Sequence, residues 1–186
     1  MPRYLVSGIA QLASDVAAVL REHDAEVVEV HDLADVPRVC ADAGPASFDG
    51  YVQLPATFTV QGDTAVERVH HFFAEGVLAR FPAVAAALPA LTPDARLTFV
   101  TGVLPEDVST EDDVAARAAL LRILRQAAQA DAANGLRVCM VGSGATPKDI
   151  ALTALGRNSD IASSTSEPDD YSEWRIELLG MMWAET

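Results

Sequence analysis

Apolar positions along the chain alternate between short β-branched runs and longer stretches with helical spacing. The predicted strands cover residues 4–8, 26–30, 49–54, 96–101 and 136–141. The predicted helices cover residues 12–23, 63–87, 109–134, 147–155 and 169–184. Strand, helix and strand in succession form βαβ units, whose parallel strands need cover on both faces. The pattern therefore predicts an α/β domain with a mostly parallel sheet.

Residues that cap or break helices refine the predicted bounds of these elements. Asp63 is placed to cap the second helix, and Pro82 and Pro89 predict a break or kink in its distal part. Thr146, followed by proline, predicts the start of the helix that covers residues 147–155. The segment from residue 32 to residue 48 is polar and interrupted by proline and glycine, so we predict no regular element there.

Composition and charge narrow the class of protein. The 186 residues fit a single domain, 1–186, with a formal net charge of −14 from 27 acidic and 13 basic residues. Such a charge repels phosphate backbones and anionic membranes, so we expect neither nucleic acid nor a membrane as partner. The two cysteines, Cys40 and Cys139, do not suggest a disulfide framework. We expect a cytoplasmic protein.

Three segments, in the right order, carry a resemblance to a known family. They are the strand-turn-helix opening at residues 5–8, the Ala-rich helix at residues 115–124, and the strand and loop at residues 134–147. The chain resembles the short-chain dehydrogenase/reductase family from Tyr4 to about Leu155. The resemblance implies a three-layer α/β/α Rossmann-like fold with five or six strands. It also implies NAD(P) as cofactor and pairing into a homodimer, or into a heterodimer with a related subunit.

The family's cofactor loop is degenerate in this chain. Its fingerprint is Thr-Gly-x-x-x-Gly-x-Gly, in which the glycines let the backbone approach a pyrophosphate. Here Ser7 and Gly8 match the start, whereas Leu12 and Ser14 occupy the positions of the other two glycines. Gln53 begins Gln-Leu-Pro-Ala where the family has Asn-Asn-Ala-Gly. We therefore expect that no cofactor binds in the usual way.

The family's catalytic pair is also missing. In the family a Tyr exchanges the proton with the substrate, and a Lys one helical turn later lowers the Tyr pKa. If Arg117 stands at the Lys position, Asp113 stands at the Tyr position, and Thr101 falls near the family's serine. A carboxylate cannot donate that proton, and arginine stays protonated near neutrality. Asp113 and Arg117 are more simply explained as a helix-surface ion pair.

The remaining cofactor candidates lie near two predicted strand ends. Asp32 begins Asp-x-x-Asp, which resembles the family motif that touches adenine, although a strand and a helix before it are missing. Gly144 and Thr146 belong to a glycine-containing loop before a helix. This loop is either a turn that needs glycine for its backbone conformation, which we favour, or an anion-binding nest. The candidate cofactor-binding residues are Ser7, Gly8, Asp32, Gly144 and Thr146.

Two further features were weighed for binding. His70 and His71 are adjacent on a helix and point about 100° apart, so we expect no metal site. The predicted helix at residues 169–184 places aromatic and methionine side chains on one stripe. This stripe either docks onto a partner subunit or folds back over the sheet.

These features lead to three hypotheses about function. The first is a short-chain dehydrogenase/reductase-like protein without oxidoreductase activity, which acts as a binding, regulatory or partner subunit. The alternative is a divergent NAD(P)-dependent oxidoreductase acting on a small carbonyl or hydroxyl substrate. The third is a purely structural component of a homo-oligomer, in which side chains fill the cleft above the strand ends.

Overall fold

Five parallel strands form one sheet in the part of the chain that the structure describes. The structure is a computed structural model that describes residues 1–55, 61–100, 123–128, 135–142 and 145–157. The strands are β1 (Arg3–Ser7), β2 (Glu26–Val30), β3 (Phe48–Gln53), β4 (Leu91–Val100) and β5 (Arg137–Val141). All neighbours pair in parallel, in the order β2-β1-β3-β4-β5. The predicted fold class is confirmed, and each predicted strand is present.

Helices cover both faces of the sheet. They are α1 (Ala10–Glu22), α2 (Val36–Ala43), α3 (Ala65–His71), α4 (Arg80–Ala87) and α5 (Pro147–Ala154), and residues 123–128 are also helical. Helices α1 and α5 pack on the face that carries Val6 and Val52. Helices α2 and α4 pack on the face that carries Leu5 and Tyr51. Successive strand residues point to opposite faces, so each strand contributes to both cores.

Helix α2 corrects the prediction that residues 32–48 hold no regular element. A 3₁₀ turn over Leu33–Asp35 leads directly into α2, in which Val36 and Cys40 are buried one turn apart. Pro37 lies in the first turn of α2, where a proline removes no intrahelical hydrogen bond. The proline that argued against a helix therefore marks its start.

The second predicted helix is capped and interrupted differently from the expectation. The Glu67 amide donates to Thr64 Oγ1 at 3.2 Å, and Glu67 Oε2 accepts from the Thr64 amide at 3.0 Å. Thr64 is therefore the capping residue, and Asp63 precedes it. A π-helical segment over Phe72–Leu78 separates α3 from α4. Pro82 lies within the first turn of α4, so the interruption comes before it.

One helical stretch, Val66–Ala90, is long and apolar enough by length and composition to cross a membrane. This is weak evidence, because the core helix of a soluble protein passes the same test. In the structure the distal part of the stretch belongs to the core, since Arg80, Ala83, Val84 and Ala87 of α4 are buried. The expectation that the protein has no membrane partner stays a prediction.

Candidate functional site

The turn between β1 and α1 is two residues long, and both of its amides bind within the protein. The Gly8 amide donates to the Val30 carbonyl at 3.0 Å, and the Ile9 amide donates to the Pro55 carbonyl at 2.9 Å. Helix α1 then begins at Ala10. Amides at such a turn are the groups that would bind a phosphate. Here the ends of β2 and β3 already use them.

Packing alone explains why residue 8 is a glycine. Its φ is +130°, a value that L side chains rarely adopt. A Cβ at this position would lie 2.7 Å from Leu54 Cβ and 2.7 Å from the Pro55 carbonyl oxygen. The close approach of this turn to the segment after β3 therefore requires glycine without any ligand.

The other two fingerprint positions lie inside α1. Leu12 packs against the core, and Ser14 Oγ donates to Glu29 Oε2 at 2.9 Å. Arg21 Nη2 binds the other oxygen of Glu29 at 2.8 Å. Burial alone would raise the pKa of Glu29, but the hydrogen bonds from Arg21 and Ser14 outweigh it and hold that pKa below its ordinary value. The Ser14 position thus faces a stabilised negative charge, which disfavours a neighbouring phosphate.

A buried chain of polar side chains links the ends of β1 and β3. Ser7 Oγ and the Tyr51 hydroxyl lie 2.8 Å apart, and Gln53 Nε2 donates to the Tyr51 hydroxyl at 3.2 Å. Gln53 Nε2 also donates to the Arg80 carbonyl at 3.3 Å. Ser7, Tyr51 and Gln53 are all fully buried. Ser7 was predicted to contact a cofactor, and in the structure its hydroxyl is used inside the protein.

The Arg80 side chain continues this chain to β4. Its Nη2 donates to the Leu54 carbonyl at 2.9 Å, and Nη1 and Nη2 both donate to the Val100 carbonyl at 3.3 Å. The side chain is 1% exposed. One guanidinium therefore joins the carboxyl-terminal ends of β3 and β4. This is the edge of the sheet at which open α/β folds bind ligands.

The Ser7–Tyr51 pair does not exchange protons near neutral pH. Burial raises the pKa of Tyr51 to about 12, although hydrogen bonds with Ser7 and Gln53 pull it down in part. The phenol therefore keeps its proton, and burial leaves no exposed atom for a substrate to reach. The pair positions strand ends and does not form an acid–base site.

The other described candidates, Asp32 and Thr146, are exposed and cap helical turns. Asp32 Oδ1 accepts from the Ala34 amide at 2.9 Å. Thr146 Oγ1 accepts from the Asp149 amide at 3.2 Å and lies 2.6 Å from Asp149 Oδ2. The hydrogen bonds from Thr146 hold the pKa of Asp149 below its ordinary value. The predicted cap of the helix at residues 147–155 is thus confirmed, and both candidates have a local structural role.

Several predicted residues lie outside the described residues. They are Thr101, Asp113, Arg117, Gly144 and the segment 169–184. Within the described ranges no group of three His, Cys, Asp or Glu side chains could hold a metal ion. There His70 is exposed, and His71 Nδ1 accepts from the Gln61 amide at 3.3 Å.

Sequence reasoning did not identify Tyr51 and Arg80. A signal for Arg80 exists, because it is a lone charge in the apolar run Val77-Leu78-Ala79-Arg80-Phe81. A charge in such a run is rarely buried without partners. Its partners, however, lie at strand ends distant in the chain, and the local pattern does not indicate them.

Comparisons with known proteins bear on the fold. No protein-family sequence model matches the chain, and no curated protein sequence matches it. The protein lin1944 from Listeria innocua matches with a TM-score of 0.64 at 15% identity, over 87% of this chain and 96% of that chain. A proposed short-chain alcohol dehydrogenase from Burkholderia multivorans matches with a TM-score of 0.65 at 14% identity, over 87% and 93%. The chain has the short-chain dehydrogenase/reductase fold.

A third structure with this fold is BdcA in complex with NADPH. It matches with a TM-score of 0.56 at 13% identity, over 87% of this chain and 88% of that chain. In the short-chain dehydrogenase/reductase fold the β1–α1 turn is where a dinucleotide places its pyrophosphate. The described residues of this chain do not fit that group, because the Gly8 and Ile9 amides bind Val30 and Pro55.

Replacing Arg80 with methionine tests the joint between β3 and β4. Arg80→Met keeps much of the side-chain volume but leaves the buried Leu54 and Val100 carbonyls without these donors. We expect the free energy of unfolding to fall by about 2–4 kcal/mol in urea titrations. The matched control is Arg38→Met, which removes an exposed arginine paired with Asp35 and Asp42. The control should change the free energy by at most about 1 kcal/mol. Equal losses in both variants would contradict the role of Arg80.

The raised pKa of Tyr51 predicts a loss of stability in alkali. A tyrosine whose pKa is raised by folding binds its proton more tightly in the folded state. Its contribution is complete below the unfolded pKa of about 10 and is lost as pH rises toward the folded value of about 12. Two units correspond to about 3 kcal/mol at most. In urea titrations from about pH 9 to about pH 11, Tyr51→Phe should lose stability less steeply than wild type. If the free energy of unfolding fell equally steeply with pH in the two proteins, Tyr51 would not be the group whose pKa is raised by folding.

Proposed function

We propose that this protein is a non-catalytic binding, regulatory or partner subunit with the short-chain dehydrogenase/reductase fold. The observation that carries the proposal is the closed β1–α1 turn, whose Gly8 and Ile9 amides bind Val30 and Pro55 carbonyls. A dinucleotide would have to break these bonds and leave carbonyls unpaired, which costs about 1–3 kcal/mol for each buried group.

The sequence supports the same proposal independently. Asp113 and Arg117 stand where the resemblance places the catalytic Tyr and Lys, and Leu12 and Ser14 replace two fingerprint glycines. Each change alone is compatible with an unusual enzyme. Their combination removes the proton donor and the pyrophosphate contact together, so a purely binding role accounts for them more simply.

The alternative is a divergent NAD(P)-dependent oxidoreductase acting on a small carbonyl or hydroxyl substrate. One observation favours it, namely that BdcA shares the fold and was solved with NADPH. A dinucleotide in this chain would have to bind through residues other than the Gly8 and Ile9 amides. Thr101 is the candidate for a hydroxyl at the substrate.

Thermal unfolding with nicotinamide dinucleotides separates the two functions. We expect no change in Tm with millimolar NAD⁺, NADH, NADP⁺ or NADPH, because the turn amides are already bonded. A ligand at 100 times its Kd stabilises a protein by about 2.7 kcal/mol, which would shift Tm by several degrees. BdcA with NADPH serves as the positive control. A clear shift for this chain, or turnover of a carbonyl substrate with added cofactor, would favour the enzyme.

We also propose that the protein is cytoplasmic and that it works as a dimer, as the fold resemblance implies. Ile123, on the helix that includes residues 123–128, is 39% exposed and suits such a contact. Size-exclusion chromatography with light scattering should give twice 19.7 kDa for wild type and a lower mass for Ile123→Glu. Val66→Glu is the matched control, since Val66 is also an exposed β-branched residue. A monomeric wild type would contradict the homodimer and leave a heterodimer with a related subunit to be sought by copurification.

A further inference from the structure

Two arginines lie side by side at the amino-terminal edge of the sheet, opposite the edge discussed above. Arg96 and Arg137 are register partners on β4 and β5, and Arg137 is the first residue of its strand. Strand alternation places Arg96 on the same face as Val100, and Val100 belongs to the core beneath α1 and α5. Both arginine side chains therefore project toward the carboxyl-terminal ends of these two helices.

A third arginine meets them just beyond α5. Gly156 has a φ of +73°, and a Cβ added there would lie 2.4 Å from Arg96 Nη2. The Arg96 guanidinium thus rests against Gly156, directly beside Arg157. Arg157 Nη1 donates to His23 Nδ1 at 3.0 Å, at the end of α1.

The Tyr4 hydroxyl lies near the Arg96 and Arg157 guanidinium groups. Its ring occupies the space above Gly50, where a Cβ would lie 2.4 Å from Tyr4 Cε1. Burial raises the pKa of Tyr4 and the Asp49 carboxylate adds to this, whereas Arg96 and Arg157 oppose both effects. The hydroxyl is therefore close enough to both guanidinium groups to sense their charge. Tyr4 is 6% exposed, and in the part of the chain that the structure describes its hydroxyl forms no hydrogen bond.

These donors contrast with three other arginines of the chain. Arg3, Arg21 and Arg38 each form an ion pair with a carboxylate within 4.0 Å. Among the described residues Arg96 and Arg137 form neither an ion pair nor a hydrogen bond through their side chains. In a chain with 27 acidic residues, two neighbouring arginines without a carboxylate partner are unexpected, because like charges repel.

The helix dipoles explain only part of this arrangement. The carboxyl-terminal ends of α1 and α5 carry partial negative charge, which stabilises a nearby cation by about 0.3–1 kcal/mol. That accounts for positive charge at this place. It does not account for two adjacent arginines on neighbouring strands together with a third arginine and a phenol close to one of them.

We propose that Tyr4, Arg96, Arg137 and Arg157 form a binding site for a phosphate group. Guanidinium forks bind phosphate oxygens in pairs, and a phenol supplies a further single donor. Three arginines match a dianionic phosphate better than a monoanionic carboxylate. Asp49 is one of the neighbouring acids, and its Oδ2 accepts from the Arg3 amide at 2.7 Å, which holds that carboxylate at the start of β1. The site is independent of any dinucleotide at the opposite edge.

Isothermal titration with inorganic phosphate at low ionic strength tests the proposal. We expect saturable binding at one site, competed by sulfate and unaffected by the same concentration of acetate. Arg96→Gln and Arg157→Gln should each weaken binding at least tenfold, because each removes a charged donor. Tyr4→Phe, which keeps the ring, should weaken it only a few-fold. The matched control Arg38→Gln removes an exposed arginine that is already paired, and it should bind as wild type does.

Three results would overturn the proposal. They are no saturable binding to wild type, unchanged binding in both Arg96→Gln and Arg157→Gln, and equal weakening in Arg38→Gln. Arg157 is exposed, so its variant keeps the test valid if Arg96→Gln does not fold.

Discussion

A single buried guanidinium joins the strand ends on which the rest of this structure depends. Moving such a cation out of water costs several kcal/mol, and carbonyl oxygens must offset that cost through well-placed hydrogen bonds. The carbonyls of Leu54 and Val100 meet Arg80 at the ends of β3 and β4. The Arg80 carbonyl in turn accepts from Gln53, which leads to Tyr51 and Ser7. Helix α4 and three strands are therefore fixed as one unit.

This arrangement bears on function because it lies at the ligand-binding edge of the fold. An open α/β sheet offers turn amides and strand-end polar groups to a ligand there. In this chain Gly8 and Ile9 amides, the Ser7 hydroxyl and the Thr146 hydroxyl all bind protein atoms. A fold hosts many functions, so a likeness to oxidoreductase structures does not by itself carry their chemistry. The same residues that could hold a cofactor here hold the protein together.

The sequence allowed the strands to be predicted because each strand is a local apolar run. Helix α2 was missed although Val36 and Cys40 have helical spacing, because Pro37 was weighed as a breaker and not as a first-turn residue. The hydrogen-bonded chain of Ser7, Tyr51, Gln53 and Arg80 could not be predicted from local sequence patterns. Ser7 and Tyr51 are 44 residues apart in sequence, and only the register of β1 against β3 brings them together. Glycine spacing, by contrast, is read directly from the sequence, and the structure places Leu12 and Ser14 inside α1.

At the carboxyl-terminal edge of the sheet the polar groups bind other protein groups, whereas at the amino-terminal edge Arg96 and Arg137 have no carboxylate partner among the described residues. The overall charge of the chain affects how an anion reaches the second edge. A net charge of −14 repels anions at long range, yet at physiological salt this field decays over about 8 Å. Contacts with Arg96 and Arg157 act within hydrogen-bond distance, where screening is weak. An anion that reaches the amino-terminal edge is thus attracted by the nearby arginines, although the protein surface as a whole repels it. The long-range repulsion slows the approach of every anion, whereas the close arginine contacts slow its release, so the site favours ligands that make several arginine contacts at once.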